Sequence, residues 1–106
     1  MSKGKFLAKI KVNRNTWSLR ATDHALERMA QRNVDAYAAT SSVIALGETV
    51  LTELRNTNDE AMILDEDAGF ALVVGFKANT AWVITVINKA RCYAKTGTRV
   101  YQLGRE

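Results

Sequence analysis

Proline is absent from the chain, and no low-complexity run interrupts it, so nothing marks a linker and one domain is expected over residues 1–106. A single cysteine, Cys92, excludes an internal disulfide and fits a reducing compartment. No apolar run approaches the ~18–20 residues of a membrane helix. The opening "MSKGKFLAKIKV" has lysines but lacks the apolar centre of a secretory signal. A cytoplasmic protein with no membrane partner is therefore expected. There is also only one histidine, His24, which excludes any mechanism needing a histidine pair.

What remains is the balance of a globular protein, 47% hydrophobic and 25% charged. The net charge of +4 is modest, but its distribution is uneven. Residues 1–20 carry +6, 21–48 carry −2, 49–76 carry −5 and 77–106 carry +5. If the two basic ends meet on one face, they form a surface that attracts a polyanion. The competing explanation is that scattered, solvated cations keep the protein soluble.

Hydrophobic periodicity divides the chain. "KFLAKIKV" (5–12) alternates Phe6, Ala8, Ile10 and Val12 with lysines, as a half-buried strand with a guarded edge does. Thr22 or Asp23 can cap a helix starting near His24, with Leu26, Met29 and Ala30 as its buried stripe. Asp35 can cap a second helix over roughly 36–46, with Gly47 as its stop. The runs 49–55, 61–65, 70–76 and 81–88 then read as strands, separated by "NTND", "EDAG" and "KANT". "TRVYQL" is a short final strand-like piece in a basic tail over 89–106. The predicted architecture is α+β: two N-terminal helices packed on a mostly antiparallel sheet of four to five strands, in the order β-α-α-β-β-β-β.

The chemistry-bearing residues cluster in "ATDHALERMAQRNV" (21–34). His24, Arg28 and Arg32 step by four, and each step turns ~400°, so they share one helix side with ~40° of drift per step. That side lies next to the apolar stripe. An imidazole exchanges protons near neutral pH. Guanidinium groups hold phosphates and stabilise a phosphorane-like transition state. These are the parts needed for metal-free RNA cleavage, in which a ribose 2′-hydroxyl attacks its own phosphate. The bland alternative is a capping histidine beside two arginines that pair with Glu27 or Asp35 and cover the core with their stems.

The run "DHALERMAQRNVD" resembles the H-A-x-x-R-M-x-x-R-x-[IV] signature of a family of small bacterial and phage domains, grouped with RelE/ParE- and BrnT-like toxins. The similarity extends over roughly residues 20–88, through "LGETV" to "WVITVI". It implies a RelE-like fold over 1–106 and activity as an endoribonuclease on mRNA or tRNA. It places His24, Arg28, Arg32 and Thr85 in the catalytic centre. Lys89 and Arg91, just past the last strand, would contact RNA. An antitoxin or immunity protein is the implied partner.

Other motifs carry less. "DEDAG" (65–69) lacks the alternating ligands of a calcium loop and reads as a solvated turn. "KTGTR" (95–99) is not a P-loop, and no cofactor is implied. Cys92 has basic neighbours but no further metal-ligating group near it in sequence. Tyr93 and Tyr101, interleaved with Lys95 and Arg99, could stack on RNA bases or simply line an edge strand. The reading is thus a toxin-type, RNA-binding endoribonuclease, with Lys89, Arg91, Tyr93, Lys95 and Arg99 contacting RNA. Its rival is a non-enzymatic module of phage or regulatory origin that inhibits a host protein or the ribosome through the acidic stretch 49–76.

Overall fold

The computed structural model of the chain describes residues 4–66, 68–87 and 98–103. Its elements are β1 (Lys5–Val12), β2 (Asn15–Ala21), α1 (Asp23–Arg32), α2 (Ala36–Ile44), α3 (Glu48–Thr57), β3 (Ala61–Asp65), β4 (Phe70–Lys77), β5 (Thr80–Ile87) and β6 (Arg99–Leu103). The strands form one six-stranded sheet in the order β1-β2-β5-β4-β3-β6. β2 runs parallel to β5, and β3 runs parallel to β6; the other pairs are antiparallel.

This corrects the β-α-α-β-β-β-β expectation. The sheet is mixed, with two of its five pairings parallel, and among the described residues it has six strands, not four or five. Three helices lie in the middle of the chain, after a hairpin, instead of two at its start. The extra strand β2 follows a two-residue turn at Asn13 and Arg14, both with positive φ (50° and 72°). Two such residues give the turn whose twist matches the flanking strands. Trp17, Leu19 and Ala21 then point inward, alternating with Ser18 and Arg20. The extra helix α3 replaces the strand expected at 49–55. Its β-branched Thr49, Val50 and Thr52 favour a strand, but Leu51 and Leu54 lie three apart and are both buried. Packing of these two leucines overrides local preference. "NTND" is accordingly a helix end, with Asn58 in the left-handed region (φ 63°) and its N–H bonded to Leu54 and Arg55 carbonyls. Gly47, expected as a helix stop, is the N-cap of α3 at φ 92°.

All three helices cover one sheet face. Ala25 and Met29 of α1, Ala39 and Val43 of α2, and Leu51 and Leu54 of α3 share one core with Ile10, Leu19, Ile63, Leu72 and Val83. Trp17 meets Phe76 edge-on at 6.2 Å within it. Strand alternation sends Lys9, Lys11, Ser18, Arg20, Gly75, Lys77, Thr80 and Trp82 to the opposite face.

β2 pairs with β5 only over residues 80–83. Beyond that point α1 lies against β5. A bulge falls there, because Val83 opposes Val74 while Thr85 opposes Val73, leaving Ile84 without an opposite residue. In a regular strand, successive carbonyls point to opposite edges. Here the carbonyls of Val83 and Ile84 both reach Thr22.

Candidate functional site

Thr22 fixes the start of α1 in three ways. Its N–H donates to the Val83 carbonyl at 3.0 Å. Its hydroxyl donates to the Ile84 carbonyl at 3.2 Å. The same hydroxyl oxygen accepts the Ala25 N–H at 3.0 Å, as an N-cap does. The helix therefore begins at a set height along β5, and His24 follows in its first turn. Its Nε2 lies 3.2 Å from Oγ1 of Thr85, so these two expected residues meet. A hydroxyl both donates and accepts, so Thr85 complements the imidazole in either tautomer. The bulge at Ile84 sets which face Thr85 presents. His24 itself is exposed.

The two arginines behave differently. Arg28 is one turn further along, about 6 Å of helix rise. Its Nη1 donates to Oε1 of Gln31 at 3.0 Å. Arg32 is two turns along, about 12 Å from His24 by rise. It is half-buried, and its Nε is buried without a hydrogen-bond partner among the described residues. Its charge in the last turn suits the helix dipole. The neighbouring Asp23 accepts the Gly4 N–H at 3.1 Å. Gly4 (φ 60°) passes so close that an added Cβ would collide with the Ala21 carbonyl and come within 2.8 Å of the Trp82 ring.

Of the expected RNA contacts, Lys89, Arg91, Tyr93 and Lys95 lie outside the described residues, as does Cys92. Arg99 is on β6, three strand spacings or about 14 Å from β5. It is not brought to His24. Its guanidinium pairs with Glu53 and Asp59, each at 3.1 Å, and ties β6 to α3 and the loop after it. The Tyr101 side chain and then Glu53 raise its pKa above the ordinary value.

The acidic residues are largely engaged within the fold. Besides Glu53 and Asp59, Asp65 accepts the Ser42 hydroxyl at 2.8 Å and the Ala68 N–H at 3.1 Å. Glu66 accepts from Gln102. Among the described residues no group of three or more potential ligands could hold a metal ion, and no helix is long and apolar enough to cross a membrane.

Two residues of the neighbourhood escaped the sequence reading. The Arg20 guanidinium lies 5.5 Å from the centre of the Trp82 ring, over its face. The signal was the alternation of "NTWSLRA", which sends Arg20 outward once β2 is recognised. Comparison with protein-family models, curated proteins and solved structures finds no match.

Proposed function

We propose that the protein is a small, cytoplasmic, toxin-type RNA-binding protein that cleaves RNA without a metal at the junction of α1 and β5. The observation that carries this reading is the 3.2 Å contact between His24 Nε2 and Thr85 Oγ1, on a helix start fastened to a strand bulge. A proton acceptor held at a defined position beside a hydroxyl, with a guanidinium one turn away, has the parts for transphosphorylation. His24 takes the proton of a ribose 2′-hydroxyl, whose oxygen attacks the adjacent phosphorus. Arg28, exchanging its contact with Gln31 for the phosphate, neutralises the developing charge. The bond from phosphorus to the 5′-oxygen breaks, and the imidazolium returns its proton to that oxygen. The products are a 2′,3′-cyclic phosphate and a 5′-hydroxyl. With one histidine in the chain, one ring performs both transfers. A protein that cuts cellular RNA in this way needs a neutralising antitoxin or immunity protein in its host.

The rival module acting through 49–76 has less behind it, because Glu53, Asp59, Asp65 and Glu66 already hold internal partners. The deciding experiment incubates purified protein with end-labelled mRNA or tRNA in the presence of chelator. Cyclic-phosphate ends are expected, and His24→Ala should slow cleavage by about 10²-fold or more. Intact RNA, or a His24→Ala protein as active as wild type, refutes the reading.

A further inference from the structure

The face of the sheet opposite the helices carries an ordered pattern. Register aligns Phe6 of β1, Arg20 of β2, Trp82 of β5 and Gly75 of β4 in one row across four strands. The next row is Lys9, Ser18, Thr80 and Lys77. Lys11 and Thr16 begin a third. None of these ten residues is acidic, one carboxylate side chain, that of Glu60, reaches the face beside Gly75, and Lys9, Lys11 and Lys77 are exposed. Phe6 is 43% exposed, a large aromatic on an open strand edge. Gly75 adds no side chain beside Trp82, and the Ile84 side chain packs over the space it leaves. An aromatic row bordered by cations complements single-stranded nucleic acid, whose bases stack and whose phosphates pair.

The same face leads to the His24 site. Thr85 opposes Val73 and Trp82 opposes Gly75, and Val73 and Gly75 are two residues apart on β4, so Thr85 and Trp82 share this face. One row separates them, about 7 Å along the strand. Resting on the RNA-cleavage reading, we propose that this face is the substrate platform. Single-stranded RNA lies across β1, β2, β5 and β4, with bases stacked on Phe6 and on the Arg20–Trp82 pair and phosphates on Lys9, Lys11 and Lys77. The strand is thereby aligned with its scissile phosphate at His24 and Thr85. The proposed specificity is for unpaired RNA, because a duplex keeps its base faces hidden.

The protein carries its own reporter. Of its two tryptophans, Trp17 is 1% exposed in the core, so ligand-induced quenching reports Trp82. The probe is an oligouridylate with 2′-O-methyl riboses, which lacks the attacking hydroxyl and cannot be cut by this route. It should quench Trp82, whereas inorganic polyphosphate and an RNA duplex should not. Phe6→Ser, at an exposed edge position, should weaken binding by about 5- to 150-fold. Lys9→Glu should also weaken it and flatten its salt dependence. Quenching by polyphosphate equal to that by the oligonucleotide overturns the platform. So does unchanged affinity in Phe6→Ser, and in that case continued His24-dependent cleavage leaves the enzymatic reading standing. Conversely, tight binding that Phe6→Ser weakens, with ordinary RNA left intact, supports the platform and removes the nuclease.

Discussion

Thr22 holds α1 to β5, and replacing it by valine tests whether that clamp sets the position of His24. Valine keeps the approximate shape of threonine and replaces the hydroxyl by a methyl group. The backbone bond from residue 22 to the Val83 carbonyl survives. Two interactions are lost: the cap on the Ala25 N–H and the bond to the Ile84 carbonyl. A cap of this type contributes about 1 kcal/mol, and a part-buried hydrogen bond about 0.5–1.5 kcal/mol. The expected loss is therefore about 2 kcal/mol. Unfolding entropy of ~2.1 cal/mol/K per residue over 106 residues converts this to a fall in Tm of about 9 °C, measurable by circular dichroism. Thr22→Ser keeps both bonds and should recover most of the loss. A second readout follows from the lone histidine, whose ring protons give one resolvable set of NMR signals. Those signals should move in Thr22→Val and return in Thr22→Ser. A fall in Tm below about 2 °C would show that the hydroxyl clamps nothing. The full fall with unmoved His24 signals would show that the clamp stabilises the fold without positioning the ring.

Two further substitutions probe the scaffold. Arg14 occupies φ 72° in the β1–β2 turn, a region costing a non-glycine residue about 1–2 kcal/mol. Arg14→Gly creates the favoured Asn-Gly turn and, after glycine's own entropic cost, should raise Tm by about 2–5 °C. Ser42, 1% exposed, donates to Asp65. Ser42→Ala should cost about 1.5–3 kcal/mol, towards the lower figure because Asp65 reaches water, and denaturant titration would register it.

Of the residues expected at the site, His24 and Thr85 meet, Arg99 lies three strands away, and Lys89, Arg91, Tyr93 and Lys95 lie outside the described residues. Local rules go most of the way for α1: Thr22 and Asp23 are both caps by residue type, and the structure uses Thr22; Met29 is buried as expected, but Ala30 is exposed and Ala25 takes its place in the core. The turns after Asp65 and after Lys77 were also readable, since "EDAG" and "KANT" are polar breaks between apolar runs. The errors fall where local and distant preferences compete. In 49–55 three β-branched residues spoke for a strand, and only the docking of Leu51 and Leu54 onto a sheet made of other segments decides for a helix. β2 was hidden because Trp17, Leu19 and Ala21 are few and its turn uses Asn-Arg rather than a glycine. The pairing of β2 with β5 is not a local property at all. The meeting of His24 and Thr85 depends on that pairing and on the bulge beside it, so the resemblance could name His24 from the helical motif and Thr85 from the last strand without showing how they touch.

The parallel pairing of β2 with β5 also bears on how the chain acquires its structure. Partners in this ladder, such as Ser18 and Thr80, are 62 residues apart. Closing so long a loop costs entropy before any contact offsets it, and such topologies fold slowly. During synthesis the N-terminal hairpin emerges well before its β5 neighbour exists. Until then Trp17 and Leu19 have no complete core, and β2 presents an unpaired edge. Only β1 is already alongside, and its lysines are charges of the kind that discourage association with other chains. The nascent hairpin is thus the segment most exposed to misassembly, and the His24–Thr85 contact cannot form until β5 arrives.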